Sequence, residues 1–290
     1  MTPSATVAEI SRCPVKSMLG EQLTAATVTE SGIAGDRAWA LIDTQTDKIA
    51  SAKHPRLWAG LLALRATYPD GQDGYGQVRI HANDGRALSS DEPDIDAAVS
   101  ALVGRDVRLA SAPTAGATYE ELWPDIDGMA PSSFVDGTRS GRSPDGEDIS
   151  ALPIGMLAPG TFQDVSPITL MTTASLRAAA ALYPSGRWDP RRFRSSILID
   201  YPGDDFIEQD WVGKTLQVGT AVLTVFAPTP RCVMITLDQQ DLPSDVGLLR
   251  TLAKHNRCDV PGTGHFACLG AYAMVTQPGE IQVGDDVVVY

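Results

Sequence analysis

The stretch DWVGKTLQVGTAVLTVFAPTPRCVMITLD, residues 210–238, decides how the chain is read. It reads as hairpin strands separated by glycine turns, and it ends on an apolar alternating run, CVMITLD. If that run is a strand, Cys232, Met234, Thr236 and Asp238 point one way, and Val233, Ile235 and Leu237 point the other, into a core. Cys232 then shares a face with a hydroxyl and a carboxylate. Pro228 and Pro230 stiffen the approach, and Arg231 supplies a cation that favours the thiolate. The same pattern also fits a buried, inert thiol at a strand start.

The flanking sequence keeps to this β theme. TVAEISRCPVKS alternates loosely. QLTAATVTESGIAGDRAWALIDTQTDKIA reads as strand, glycine-rich turn, strand and hairpin. Val78 and Ile80 alternate ahead of an Asn-Asp-Gly turn. SSDEPDIDAAVSALVG predicts a helix, with Pro93 and acidic residues in its first turn and Gly104 as its stop. RDVRLASAP returns to strand. From 114 to 161 the chain is rich in Gly, Pro, Ser and Asp and poor in periodicity. It reads as an ordered loop excursion or linker, with a short helical turn in TYEELWPDID.

SPITLMTTASLRAAAALYPSG then predicts a strand, an N-cap at Thr172 or Thr173, and a helix ended by Pro184 and Gly186. RFRSSILIDYPG is an apolar strand entered through arginines. DVGLLRTLAKHNRC is helical, with Val246, Leu249, Leu252 and Ala253 on one face. LGAYAMVTQPGEIQVGDDVVVY reads as strand, Pro-Gly turn, strand. The fold expected is mainly β with some helices (α+β), a closed barrel or sandwich with helical decorations. Its regions are 1–113, 114–161 and 162–290.

Composition bounds the function. The 290 residues are 43% hydrophobic and 20% charged, with a formal net charge of -13. So acidic a surface repels nucleic acid and anionic membrane, and any anion must be held by a local basic pocket. The first residues lack a secretory apolar core, and no apolar run approaches a bilayer span. A soluble cytoplasmic protein is expected. Four scattered cysteines, Cys13, Cys232, Cys258 and Cys268, do not make a disulfide framework or a zinc ribbon. His54, His81, His255 and His265 have no metal-ligand spacing. There is no dinucleotide fingerprint, P-loop or nucleophile elbow. Glu120–Glu121 and Asp204–Asp205 read as solvated loop charges. Cationic knots stand out: Lys16 beside Ser17, Arg37 after Gly35, and Arg191, Arg192 and Arg194 around Phe193. In extended geometry Arg192 and Arg194 face one side. Such groups suit a phosphate or a polar fused heterocycle, or else surface salt bridges.

Several segments together resemble the MOSC family. CPVKSMLGEQLTAATVTESGIAGDRAWALID followed by HPRLW resembles its N-terminal β-barrel region. FQDVSPITLMTTASL, RRFRSSILID, RCVMITLD, RCDVPGTGHFACLGAYA and GEIQVGDDV resemble the MOSC domain, in order. The closest character is that of the mitochondrial amidoxime-reducing component and its bacterial two-part relatives. The resemblance implies a MOSC-type β-barrel and a molybdenum cofactor, a Mo-pyranopterin, with Cys232 as the metal ligand and Asp238 as a proton relay or support. It implies cofactor contacts from Lys16, Ser17, Arg37, Ser166, Arg192, Arg194 and Arg231. RFRSS stands where relatives carry RFRPN, so Ser195 and Ser196 replace Pro and Asn. The 114–161 segment has no counterpart.

The activity implied is reduction of N-hydroxylated compounds: amidoximes, hydroxylamines and N-hydroxylated bases. Because the chain stops at Tyr290, a separate electron donor is expected, whether ferredoxin, flavin reductase or cytochrome. Pyridoxal phosphate binding is a further family-level association. The alternatives are a non-catalytic cofactor-binding or sulfur-carrier protein, and a β-barrel without cofactor.

Overall fold

The computed structural model describes residues 5–69 and 76–290. Its centre is a nine-stranded sheet. In spatial order run Glu21–Leu23, Thr6–Arg12, Ile197–Asp200, Ile168–Thr172, Gly264–Gln277, Ala221–Pro230, Thr215–Val218 and Val287–Val289, with Arg257–Val260 paired to Gly264–Gln277. The far end of this path returns to the first strand. Val7 N–H donates to Asp285 O at 2.9 Å, Gly284 to Val7 O at 2.8 Å, and Val287 to Ala5 O at 2.8 Å. The sheet closes into a barrel, which removes edges that would otherwise pair with other chains.

Alternation fills the barrel. Ile168 and Leu170, Ile197 and Ile199, Leu216 and Val218, Leu223 and Val225, and Ala271 and Ala273 all face one interior, where Val7 and Ile10 join them. On the outer side Met171 and Leu198 pack against two helices through Ala179, Leu248, Leu249 and Leu252. The first helix, Thr173–Leu182, is the crossover between the parallel strands Ile168–Thr172 and Ile197–Asp200. Thr172 caps it as expected, its hydroxyl oxygen accepting from Ser175 N at 3.1 Å. The second, Val246–His255, buries Leu248, Leu249, Leu252 and Ala253. Val246 was expected on that face but is exposed. It follows directly on the N-cap Asp245, in a first turn that faces solvent.

The N-terminal region has its own core of Val15, Met18, Leu41, Trp58, Leu61, Val78, Ile80, Val99 and Val107. Two small sheets and the helix Ile95–Val103 enclose it, the helix stopping at Gly104 with φ 71°. The mixed α+β, barrel-based architecture is the one expected. Yet Thr6–Arg12, from the 1–113 region, is a stave of the barrel built mostly from later residues.

Two local expectations are corrected. The 114–161 segment is no loop: Thr118–Trp123, Asp148–Pro153 and Arg139–Arg142 form an antiparallel sheet, joined by the helix Ser132–Thr138. TYEELW is a strand, not a helical turn, and Leu122 N–H donates to Lys53 O at 2.9 Å. CVMITLD, in turn, is no strand. Val233–Thr236 is a 3-10 turn with Cys232 at its N-cap. The preceding strand ends in a bulge between Pro228 and Pro230, where proline's missing N–H costs no ladder bond.

Candidate functional site

The bulge and the turn after it bring Cys232 to the wall of a cleft between the barrel and the N-terminal region. The cleft holds about 740 Å³ of empty space counting its open mouth. Lys16, Ser17, Arg37, Ser166, Arg192, Arg194, Arg231 and Cys232 all line it. These residues come from distant stretches of the chain. Asp238 is not among them. The strand that would have carried it alongside Cys232 is a turn, and Asp238 is exposed.

Three of the lining residues hold a left-handed backbone without being glycine: Ser17 (φ 64°), Arg37 (φ 48°) and Arg194 (φ 54°). That conformation is costly for a residue with a Cβ, and it persists where the surroundings fix it. Here each is fixed. Ser17 Oγ accepts from Ala52 N at 3.0 Å. Arg37 pairs with Asp36 and donates through Nη2 to Arg194 O at 3.0 Å. Arg194 Nη1 donates to Met18 O at 2.7 Å. Asp36 in turn accepts from Cys13 N and from Gln163 Nε2, both at 2.7 Å.

The charges divide into answered and unanswered. Lys16 pairs with Asp164 and donates to Phe162 O at 3.1 Å. Lys53 reaches Glu121 at 3.0 Å, Asp164 at 3.1 Å and the Tyr119 hydroxyl at 3.2 Å. Both ammonium groups sit over the Tyr119 ring, at 4.7 and 4.9 Å. Burial opposes ionisation of Asp164, yet Lys16 and Lys53 hold its carboxyl well below the usual range. Burial likewise opposes the Lys53 charge, and Asp164 and Glu121 outweigh it. Arg194 and Arg231 have no carboxylate partner among the described residues. Arg231 donates to Leu269 O at 2.7 Å and to Phe193 O at 2.9 Å. Burial pulls both guanidinium groups below their usual pKa. Arg194 Nη2, Arg231 Nη2 and Thr229 Oγ1 are buried with no hydrogen-bond partner among the described residues. Such groups are costly to bury unless something pairs with them.

Not every lining residue offers its polar end to the cleft. Arg192 was expected to face the same side as Arg194, but Pro190–Phe193 is a 3-10 turn and the two diverge. Arg192 is 1% exposed and donates to Arg187 O at 3.2 Å, Ile235 O at 3.2 Å, Leu237 O at 3.0 Å and Pro243 O at 2.6 Å. It clamps the turn that carries Cys232. Ser166 sends its hydroxyl to Ile168 O at 2.7 Å, with Ala273 O at 3.0 Å, and pins the sheet.

Cys232 is half-buried, and burial pushes its thiol up to about 11, with Lys53 opposing. Arg231 was expected to be the cation favouring the thiolate; Lys53 is the cation that lowers the Cys232 pKa most. Among the described residues no group of three or more His, Cys, Asp or Glu converges on a metal position. A metal at Cys232 would therefore bring its other ligands with it.

Sequence reasoning missed Lys53, Asp164, Tyr119, Glu121 and Tyr272. Asp164 sat inside the quoted FQDVSP, where only the serine was singled out. Glu121, which the sequence suggests is a solvated loop charge, is 4% exposed and paired with Lys53. Had TYEELW been read as a strand, its period would have set Tyr119 and Glu121 on one face.

This is a two-part barrel protein with a basic, cysteine-bearing cleft at the junction of its parts. The chain belongs to the MOSC family: residues 4–113 match the MOSC N-terminal beta barrel domain and residues 159–288 the MOSC domain. Among solved structures, the YUAD protein from Bacillus subtilis is similar at 11% identity, over 99% of this chain and 95% of that one, with a TM-score of 0.46. YiiM from Geobacillus stearothermophilus is similar at 18% identity over 43% of this chain and 54% of that one, with a TM-score of 0.28. No curated protein matches the chain.

Proposed function

We propose that the cleft holds a molybdenum cofactor and that the protein reduces N-hydroxylated compounds such as amidoximes and hydroxylamines. One observation carries this reading. A half-buried thiol shares a cleft with two guanidinium groups, each with a buried nitrogen that has no hydrogen-bond partner and no paired carboxylate among the described residues. A thiolate suits a soft metal, and unpaired guanidinium suits an anionic, planar, acceptor-rich group. The donor set therefore fits a pyranopterin that brings its own dithiolene and its own negative charge.

Arg194, Arg231 and the Thr229 hydroxyl would hold the ring system. Lys16, Ser17 and Arg37 would hold the terminal phosphate, with Asp36 and Asp164 sharing their cations. Cys232 would bind the metal as thiolate, metal binding overcoming the burial that keeps it protonated. When bound, the cofactor supplies the two-electron redox chemistry. The chain's own part is to hold protons beside it. The Tyr272 phenol lines the cleft and burial pushes it up to about 12, so it keeps its proton at neutral pH. Lys53 keeps its own. Electrons come from a separate donor protein, and the acidic surface favours a basic docking face.

The test is metal content by mass spectrometry on protein from a cofactor-producing host, with benzamidoxime reduction by an artificial electron donor. Near-stoichiometric molybdenum is expected, lost in Cys232→Ser while the melting temperature holds. Wild-type protein without molybdenum would end the reading. Molybdenum without reduction of any N-hydroxy compound would favour a cofactor carrier.

A further inference from the structure

A second cleft lies on the far side of Arg194, the one lining residue it shares with the Cys232 cleft. It holds about 820 Å³ of empty space counting its mouth. Its wall contains polar atoms that have no hydrogen-bond partner among the described residues. Gln239 is 2% exposed, and its amide nitrogen donates to Met234 O at 3.1 Å. That bond fixes which way the amide points and leaves Oε1 without a donor. Ser195 is 8% exposed and its hydroxyl has no partner. Arg194 Nη2 is likewise unpaired.

The charges of this wall are also uneven. Arg12 is engaged by Glu21 at 2.8 Å, and Arg191 by Asp189 at 2.7 Å and Asp241 at 2.8 Å. Glu9 accepts from Gln22 at 3.2 Å. Arg65 and Arg194 are different. They hold neighbouring carbonyls of one corner, Gly20 O and Met18 O, and neither meets a carboxylate among the described residues. That corner is closely packed: a Cβ on Gly20 would lie 2.0 Å from Arg12 O. What remains unanswered is two guanidinium groups against the single Glu9 carboxylate, which meets only a neutral amide, together with one hydroxyl and one acceptor oxygen. A guanidinium is best matched by a carboxylate, and a lone amide oxygen by an O–H or N–H.

We propose that this second cleft binds a short hydroxycarboxylate, with Arg65 and Arg194 taking the carboxylate, Ser195 beside it, and Gln239 Oε1 accepting from the ligand hydroxyl. Cys232 takes no part, but the unpaired Nη2 of Arg194 can serve one cleft at a time, so the cofactor-free chain is the form to titrate. Its link to the first cleft is Arg194, whose other arm is tied to Met18 next to Ser17.

Glycolate, acetate and glycolamide, titrated calorimetrically into the full chain, test this. Glycolate is expected to bind saturably in the millimolar range or tighter. Acetate, lacking the hydroxyl, and glycolamide, lacking the charge, are expected to bind about tenfold more weakly or worse. Arg65→Met should abolish glycolate binding, Ser195→Ala should weaken it, and Cys232→Ser should leave it unchanged. Absence of saturable glycolate binding overturns the proposal. So does equal affinity for all three probes, or undiminished binding in both Arg65→Met and Ser195→Ala.

Discussion

Cys232 shows how a residue's chemistry follows from where the chain sets it. Alone it is a poor nucleophile, because burial raises its pKa to about 11. The cofactor-free thiol should therefore alkylate slowly at neutral pH, its rate with iodoacetamide rising about tenfold per pH unit below that value. Lys53 is the cation holding the pKa from going higher. Lys53→Met should slow alkylation at fixed pH, because the cation that opposes burial is gone. A thiol that alkylates with the midpoint of an ordinary cysteine, about 8.5, would contradict this burial. The sequence made the cleft's cations legible, since Lys16, Arg37, Arg194 and Arg231 stand out against a charge of -13. It did not make their division of labour legible. Nothing in RRFRSS tells that one arginine clamps a turn while the other leaves an N–H unpaired.

At the scale of elements, the long strand Gly264–Gln277 holds the site's frame. Gly270 adopts φ 80°, and a Cβ there would lie 2.4 Å from Leu170 O and 3.1 Å from Arg231 Nη2. Gly270→Ala should destabilise the protein by about 2 kcal/mol or more, read from urea unfolding midpoints. Gly262→Ala is its control: φ is 78° with nothing near the added carbon, so only the backbone term, about 1 kcal/mol, should appear. Equal effects would deny the close approach at Gly270. The strands and helices with clean apolar periods were readable from sequence. Those that were not had a physical reason. Thr118–Trp123 buries a glutamate that pairs with Lys53, so its inward face did not look apolar. CVMITLD alternates like a strand, but Arg192 and the Gln239 amide gather its carbonyls into a turn.

For the whole molecule, the two matched domains are not two separable bodies. The barrel takes Thr6–Arg12 and Glu21–Leu23 from the N-terminal region, and the cleft takes Lys16, Ser17, Arg37 and Lys53 from it. A chain cut between 113 and 114 should not yield a folded 114–290 fragment, because Ile197–Asp200 and Val287–Val289 would each lose one of their two neighbours and the barrel would open. Gel filtration and circular dichroism should show that fragment aggregated when made alone and rescued when both pieces are co-expressed. A monomeric 114–290 fragment with cooperative unfolding would refute the shared barrel.

The join between Val7 and Asp285 also has a consequence for how the molecule is born. Translation proceeds at roughly 5–20 residues per second, so the earliest stave emerges from the ribosome on the order of tens of seconds before the segment that seals it. Until then one edge of that stave has no strand to pair with, and the interior its valine and isoleucine enter stays open on that side. The period of greatest exposure for this strand is therefore synthesis, before the closing segment has been made.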